Sequence, residues 1–363
     1  MVKGLLLLDN IVFELQKAGG ISLVWRSILE SCMKDVELPF AILDSGLGEG
    51  NIFYPKFTES VNRVPDHGRL LFRRYSDIKK SIKCRLFHSS YFRVHASKKV
   101  KNIVTIHDFV YEKFDTGPRK VIHLWQKKHA LSRADLIICV SENTKMDLLD
   151  YHPWLSERDI RVVYNGRGRD FFPLRDASEN EIVTSFRKPF LLYVGGRHAH
   201  KNFIAALALL KTPEAIGMDL QLIVVGGGVF SGDELILINK LGLEEKVYYA
   251  GFVSNENLNI LYNNAFAFIY PSFYEGFGIP PLEAMAAGCP VICSNVSSIP
   301  EVVGDAGLLF DPHRPESAEE YILYLQDNDN RQHIIQRGIR RASLFTWDKT
   351  GDETVKIYKE MMS

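Results

Sequence analysis

Two glutamates in one short run have the spacing and the company of a sugar-binding site. Glu275 and Glu283 lie eight positions apart in Ser272-Phe-Tyr-Glu-Gly-Phe-Gly-Ile-Pro-Pro-Leu-Glu283. The first falls in a glycine-rich loop. The second falls inside a helix that Pro280 and Pro281 would begin, because proline tolerates the first helical turn. Gly276 and Gly278 let the backbone pass close to a ligand, and the unpaired N–H groups of a helix start donate to a phosphate. Carboxylates beside such a phosphate would grip sugar or ribose hydroxyls, since the phosphate repels them. Taken alone, the run also fits a capping loop with two solvated glutamates.

Three further segments hold groups suited to the same chemistry. In Tyr193-Val-Gly-Gly-Arg-His-Ala-His-Lys-Asn202, the glycines permit close approach and Arg197 and Lys201 would neutralise a diphosphate. His198 and His200 in that loop make a metal pair without a third ligand, and no role is assigned to them. Val104-Thr-Ile-His-Asp108 puts His107 at the end of a strand, where an imidazole can hydrogen-bond a sugar hydroxyl or shuttle a proton. Ala18-Gly-Gly-Ile-Ser22 places Gly19 and Gly20 between a strand and a helix, as an ordinary turn or a point of close approach. Asp327-Asn-Asp329 spells the D-x-D of metal-dependent sugar transfer, but it follows no strand and reads as a loop ending a helix.

What must position these groups is a pair of α/β domains. Short apolar strands are expected at Gly4–Leu8, Phe40–Leu43, Ile103–Ile106, Leu136–Val140 and Ile160–Tyr164. A second series is expected at Phe190–Val194, Leu220–Val225, Val247–Ala250, Ala267–Tyr270 and Pro290–Cys293. Most are continuous Val/Ile/Leu runs, the signature of parallel sheets covered by helices on both faces. Phe172-Pro173, the polar segment Asp176–Glu181 and Pro189 separate the two series. With 363 residues, 24% charged and 46% hydrophobic, the chain has room for two such cores and no composition for disorder. Five scattered cysteines without a C-x-x-C pair exclude a disulfide scaffold and fit a reducing cytoplasm. The run Leu5–Leu8 is too short for a signal peptide and reads as the first buried strand. Ligands of such sheets sit at the carboxyl ends of the strands, so two domains of this kind imply a site in a cleft between them.

In these segments the chain resembles the retaining glycosyltransferases of family 4, which have the two-lobed GT-B fold. The resemblance covers almost the whole length. It rests on the E-x7-E element Glu275/Glu283, on the following Ala284-Met-Ala-Ala-Gly-Cys-Pro-Val291, and on Ser297-Ser-Ile-Pro-Glu-Val-Val303 and Gly307-Leu-Leu-Phe-Asp-Pro312. It implies Rossmann-like domains at 1–171 (acceptor) and 187–345 (donor), with a C-terminal helix in 346–363 crossing back to the first. It further implies that Glu283 grips the ribose, while Glu275, Gly276, Phe277 and Gly278 hold the donor sugar. Lys201 and Arg197 would face the diphosphate, though the family's usual arginine position holds Gly196 here. Gly19 and Gly20 would approach the donor from the other lobe. His107 would contact the sugar near the reacting carbon, and Asp108 would orient it or meet the acceptor. The implied reaction moves a hexose, mannose or similar, from a GDP- or UDP-linked donor to a glycan or lipid-linked hydroxyl, as in O-antigen or capsule synthesis. Anomeric configuration is retained, no metal is needed, and there is no resident cofactor.

Charge adds one more expectation. Residues 1–170 carry 28 Lys and Arg against 20 Asp and Glu, and the remainder carries the opposite imbalance, 16 against 24. The richest stretch, Arg69–Arg85, has seven cations and one anion, with Leu71, Tyr75, Ile78 and Ile82 at helical spacing. It is expected to form an amphipathic helix, either a solvated surface helix with its apolar stripe on the core of the domain or one able to lie peripherally on the anionic inner face of a membrane. No nucleic-acid-binding motif accompanies the charge. Two other readings stay open on sequence alone. One is an epimerase or phosphorylase of the same fold, and the other a non-catalytic sugar-nucleotide binding protein. A dehydrogenase is disfavoured because no G-x-G-x-x-G follows a strand.

Overall fold

The structure is a computed structural model and describes residues 5–57, 61–79, 83–175 and 188–363. The polar segment 176–181 and residues 80–82 of the basic stretch lie outside the described residues, as do residues 1–4 at the head of the first strand and position 187 of the expected second domain. The chain divides into two compact units, Met1–Gly166 with Trp347–Ser363, and Arg167–Thr346.

The first unit holds seven strands: β1 Leu5–Asp9, β2 Phe40–Asp44, β3 Asn62–Pro65, β4 Cys84–Ser89, β5 Lys101–Ile106, β6 Leu136–Cys139 and β7 Asp159–Val162. All pairings are parallel, in the order β3-β2-β1-β4-β5-β6-β7. Both faces of β1 are buried, Leu6 and Leu8 in one cluster and Leu7 in another, which is why the run reads as unbroken leucine. The second unit holds β8 Phe190–Val194, β9 Gln221–Val225, β10 Val247–Gly251, β11 Ala267–Tyr270, β12 Val291–Ser294 and β13 Gly307–Phe310, again all parallel, in the order β10-β9-β8-β11-β12-β13. Each sheet is a doubly wound Rossmann-like arrangement, and its strand order turns back beside β1 or β8.

The division falls at Gly166/Arg167, a few residues before the expected 171. Arg167 N donates to Phe345 O, while Phe172 N and Leu174 N donate to the side chains of Asn259 and Asn263. These bonds tie residues 167–174 to the second unit. The last helix, Trp347–Met362, packs on the helix Gly20–Lys34 of the first unit. Gly351 makes the close approach, since a Cβ there would sit 2.2 Å from Ser31 Oγ. Tyr358 on the same helix is fully buried and bonds His88 Nδ1 at 2.6 Å.

The described residues of Arg69–Arg85 do not follow the expected continuous helix. Among them, helix covers Leu70–Arg74; Ile78 then bridges to His95 and is buried, and β4 begins at Cys84. The basic charge is also partly spent internally. Arg73 is buried between Glu14 and Asp66, and Asp66 in turn pairs with Arg93, which holds Asp9 at the end of β1. Such a network satisfies each buried charge with several bonds, as burial requires. Among the described residues no helix is long and apolar enough to cross a membrane.

Candidate active site

In the second unit the site gathers at the carboxyl ends of β8 and β11. After β11 the chain runs through the loop 271–278 into the helix Ile279–Ala286, with Gly278 at φ 104° as the residue before it. That left-handed conformation is one a side chain rarely adopts, and it turns the loop sharply into the helix. Ser297 and Ser298 pin the loop from outside. Glu275 N donates to Ser297 Oγ at 3.0 Å, and Ser298 Oγ donates to the carbonyls of Glu275 and Phe277, each at 2.9 Å. The segment Ser297–Val303 thus holds the loop from behind.

Lys201 ends the turn that follows β8, and its ammonium donates to both oxygens of Glu275, at 2.7 and 2.8 Å. A further bond joins the two loops, from Phe273 N to His200 O at 2.8 Å. Burial alone would raise the Glu275 carboxyl, but the Lys201 charge and its hydrogen bonds outweigh this and hold it below the usual carboxylate range. Glu283 has the opposite environment. Its carboxylate accepts no hydrogen bond from the described residues, and burial, with the Asp170 charge adding to it, pushes the group up to about 8. The two glutamates of the E-x7-E element are therefore different acids. One is a paired carboxylate, and the other is a sheltered carboxyl with open hydrogen-bonding capacity.

Arg197 departs from the expected diphosphate contact. Its guanidinium is turned inward, 4% exposed, and pairs with Glu234 at 2.7 Å while donating to the carbonyls of Gly226, Gly228 and Val229. Gly226, Gly227 and Gly228 all have positive φ, and a Cβ on Gly227 would lie 2.8 Å from Gly195 O. Arg197 is the clamp that holds this turn, with its N–H donors already committed. Tyr193 fixes the neighbouring loop by donating to Gly196 O at 2.9 Å.

In the first unit, the carboxyl edge of the sheet carries the remaining expected residues. Gly19 caps the helix Gly20–Lys34 in extended backbone, and its carbonyl accepts from Ser22 Oγ. His107 and Asp108 follow β5 directly. Asp108 Oδ1 accepts from Val110 N at 3.1 Å, which starts the short helix Val110–Phe114. Beneath them lies Lys127, 1% exposed, donating to Asp108 O at 3.0 Å and Glu112 Oε1 at 2.6 Å, with Phe109 under its ammonium at 4.2 Å. Burial is the leading cause that lowers the His107 imidazole to about 4, with the Asp108 charge pulling it upward and the Lys127 charge pushing it down. It is a neutral ring at physiological pH.

Lys127 is the positioning residue that sequence reasoning did not single out, and Ser297 and Ser298 stood there only within a family-like segment, without a role. A lysine at a buried position of an amphipathic helix was the one available signal. Asp327 and Asp329 sit at the junction of two helices, where Asp327 caps the second by accepting from Asn330 N at 2.9 Å.

Among known sequences, residues 175–341 match the group described as Glycosyl transferases group 1, and residues 44–168 match Glycosyltransferase Family 4. The chain is 30% identical over 328 residues to the O-antigen chain mannosyltransferase B of Escherichia coli, covering 83% of this chain and 85% of that protein. Among solved structures it is similar to the sucrose-phosphate synthase of Thermosynechococcus elongatus, with TM-score 0.75, 20% identity and 99% of each chain covered. It is also similar to WaaG, a glycosyltransferase involved in lipopolysaccharide biosynthesis, with TM-score 0.70, 14% identity and 97% and 99% of the chains covered. The two parallel-sheet units have the GT-B fold, and the family matches with the 30% identical relative define a glycosyltransferase. The chain belongs to glycosyltransferase family 4.

Proposed function

We propose that this glycosyltransferase moves a hexose, mannose or a close analogue, from a GDP- or UDP-linked donor to a hydroxyl of a glycan or lipid-linked acceptor in surface-polysaccharide synthesis. The observation that carries the reading is Glu283, a sheltered carboxyl with open acceptor capacity at the helix that the glycine loop feeds. It supports a grip on the ribose hydroxyls of a nucleotide. Glu275, held ionised by Lys201, sits where a donor-sugar hydroxyl would be bound, with Gly276, Phe277 and Gly278 supplying backbone. Lys201 supplies cationic charge to the leaving diphosphate, and the neutral imidazole of His107 meets the sugar near the reacting carbon, oriented from below by Asp108 and Lys127. Gly19 and Gly20 offer bare backbone to the donor or the acceptor. Arg197 takes a structural place as the clamp of the Gly226–Gly228 turn and not the diphosphate contact expected of it. The anomeric configuration is retained and the reaction runs without a divalent cation, the D-x-D pair having a helix-capping place instead.

The test is transfer from a panel of GDP-, UDP-, ADP- and dTDP-sugars to lipid-linked and free glycans, with and without chelator, and the product anomer read by NMR. Inverted product, or activity lost to chelator and restored by Mn²⁺, overturns the corresponding element of the reading.

Peripheral contact with an anionic bilayer belongs to the same reading. Arg69, Lys79, Lys83 and Arg85 are exposed, as are Leu71 and Phe72, each 67% exposed. The helix Gly117–Ser132 adds exposed Val121, Ile122 and Trp125 and contains no Asp or Glu. Cations around apolar side chains suit a lipid-linked acceptor presented at a membrane surface. Flotation with anionic and neutral vesicles at rising salt tests it, and binding that ignores both charge and salt would remove this contact.

A further inference from the structure

The loop after β8 contains two cations, and both are already engaged. Arg197 is committed to Glu234 and to three carbonyls, and Lys201 is shared across the two oxygens of Glu275. A nucleoside diphosphate carries two or more negative charges, which the single Lys201–Glu275 pair balances poorly. The next side chain along supplies what is missing. A Cβ built on Gly196 would lie 3.2 Å from His198 Cδ2 and 3.3 Å from its Nε2, so the imidazole of His198 occupies the space beside that bare glycine. The ring stacks on His200 with centroids 6.0 Å apart and planes 15° from parallel. His200 O accepts from Phe273 N, which joins this histidine pair to the glycine loop carrying Glu275.

We infer that His198 is a phosphate-binding residue of this enzyme, its ring N–H taking the diphosphate of the donor at Gly196 in place of the inward-turned Arg197. The inference rests on the nucleotide-sugar reading given above. The geometry favours an oxyanion over a metal ion. The two imidazoles have no third ligand, since no group of three or more His, Cys, Asp and Glu is placed to hold an ion among the described residues. An imidazole N–H is a strong donor to phosphate oxygen. Gly196 contributes by absence, since a side chain there would meet the His198 ring. The charged side chains of the same loop are Lys201, paired with Glu275, and Arg197, paired with Glu234.

Calorimetric titration of the full chain with GDP, UDP, ADP and dTDP, and with the matching nucleosides, tests this. The nucleoside diphosphate that binds the wild type should bind His198→Ala about tenfold or more weakly, the scale of one charge-assisted hydrogen bond. Binding of the nucleoside should be unchanged, and His198→Arg should recover most of the loss. If His198→Ala binds the diphosphate as tightly as wild type while Lys201→Ala loses it, the assignment of His198 is wrong and the nucleotide-sugar reading stands. A wild-type protein that binds none of the four diphosphates overturns both. Equal loss for diphosphate and nucleoside would mean a loop disturbed as a whole, and it too removes the assignment.

Discussion

Lys201 Nζ lies 2.7 Å from Glu275 Oε1 and 2.8 Å from Oε2, so one ammonium is shared across both oxygens of a carboxylate that is largely out of water. The pair joins the loop after β8 to the loop after β11, two segments 74 residues apart in sequence. It fixes the ionisation of Glu275 and the position of Lys201 together. Removing either partner leaves the other charge in poor solvent, so the two residues are a unit in folding as well as in binding.

Lys201→Ala should therefore cost stability beyond the loss of a surface cation, on the order of 2–3 kcal/mol, because Glu275 is left buried and unpaired. Lys201→Met combined with Glu275→Gln should regain much of that loss without regaining donor binding. Urea unfolding of the wild type, Lys201→Met, Glu275→Gln and the double variant measures the coupling directly. Additive effects of the two single changes would show that the pair is not a unit.

Glu283 predicts a pH dependence of opposite sign to that of an ordinary carboxylate. Its folded group titrates near 8, because burial raises it and Asp170 adds to the rise. A carboxylate that accepts from two ribose hydroxyls must be ionised, so donor affinity should climb as pH rises from 6 to 9. Stability should move the other way. The unfolded group releases its proton in the ordinary carboxyl range, so the folded state loses this advantage as pH rises from there through about 8. Glu283→Gln should flatten both profiles. Donor affinity in that variant that still climbs with pH would place the titrating group elsewhere.

The central strands were legible in the sequence because they are buried on both faces and so read as unbroken aliphatic runs, as in Leu5–Leu8 and Phe190–Val194, whereas the exposed edge strand Asn62–Pro65 and the half-buried edge strand Gly307–Phe310 were not. Cys84–Ser89 was not legible, because Arg85 and the cations before it continue a helical spacing that ends at Arg74 in the fold. Residue types at the site were equally plain, but partners were not. Arg197 and Lys201 are both cations in one glycine loop, and only the structure separates them. Arg197 faces Glu234 and the Gly226–Gly228 turn, contacts made across a gap of about 30 residues that no spacing rule reaches. The lysine beneath His107 was hidden for the same reason, since its partner Glu112 is 15 residues away on another helix.

Arg197→Lys should consequently behave as a folding variant. A lysine ammonium cannot serve the carboxylate and three carbonyls that the planar guanidinium serves at once. The expected result is a melting temperature lower by on the order of 5 °C, since a unit of this size moves a few degrees per kcal/mol. Nucleoside and nucleoside diphosphate affinities should fall in parallel, if at all. A selective loss for the diphosphate with unchanged melting would return Arg197 to the phosphate.

His107 should remain neutral through the working pH range, and the reason is its surroundings. Burial is the leading cause and the Lys127 charge the next one acting downward, so the ring takes a proton only near 4, whereas an unfolded histidine takes it near 6.5. Between those values the unfolded chain binds the proton and the folded one refuses it, so stability falls as pH drops through that window. His88, fully buried and lowered to about 3, works in the same direction. Turnover, on His107's account, should be flat from about pH 5 upward. Lys127→Met paired with Glu112→Gln removes the buried charge without leaving an unpaired carboxylate, and the His107 titration should then move upward in NMR spectra. His107→Ala should lower kcat more than donor affinity, because the contact is made at the reacting sugar and strengthens in the transition state. A variant with near-normal kcat, or one that loses donor affinity and kcat/KM equally with kcat unchanged, would mean that His107 binds the ground state and takes no part in the transfer.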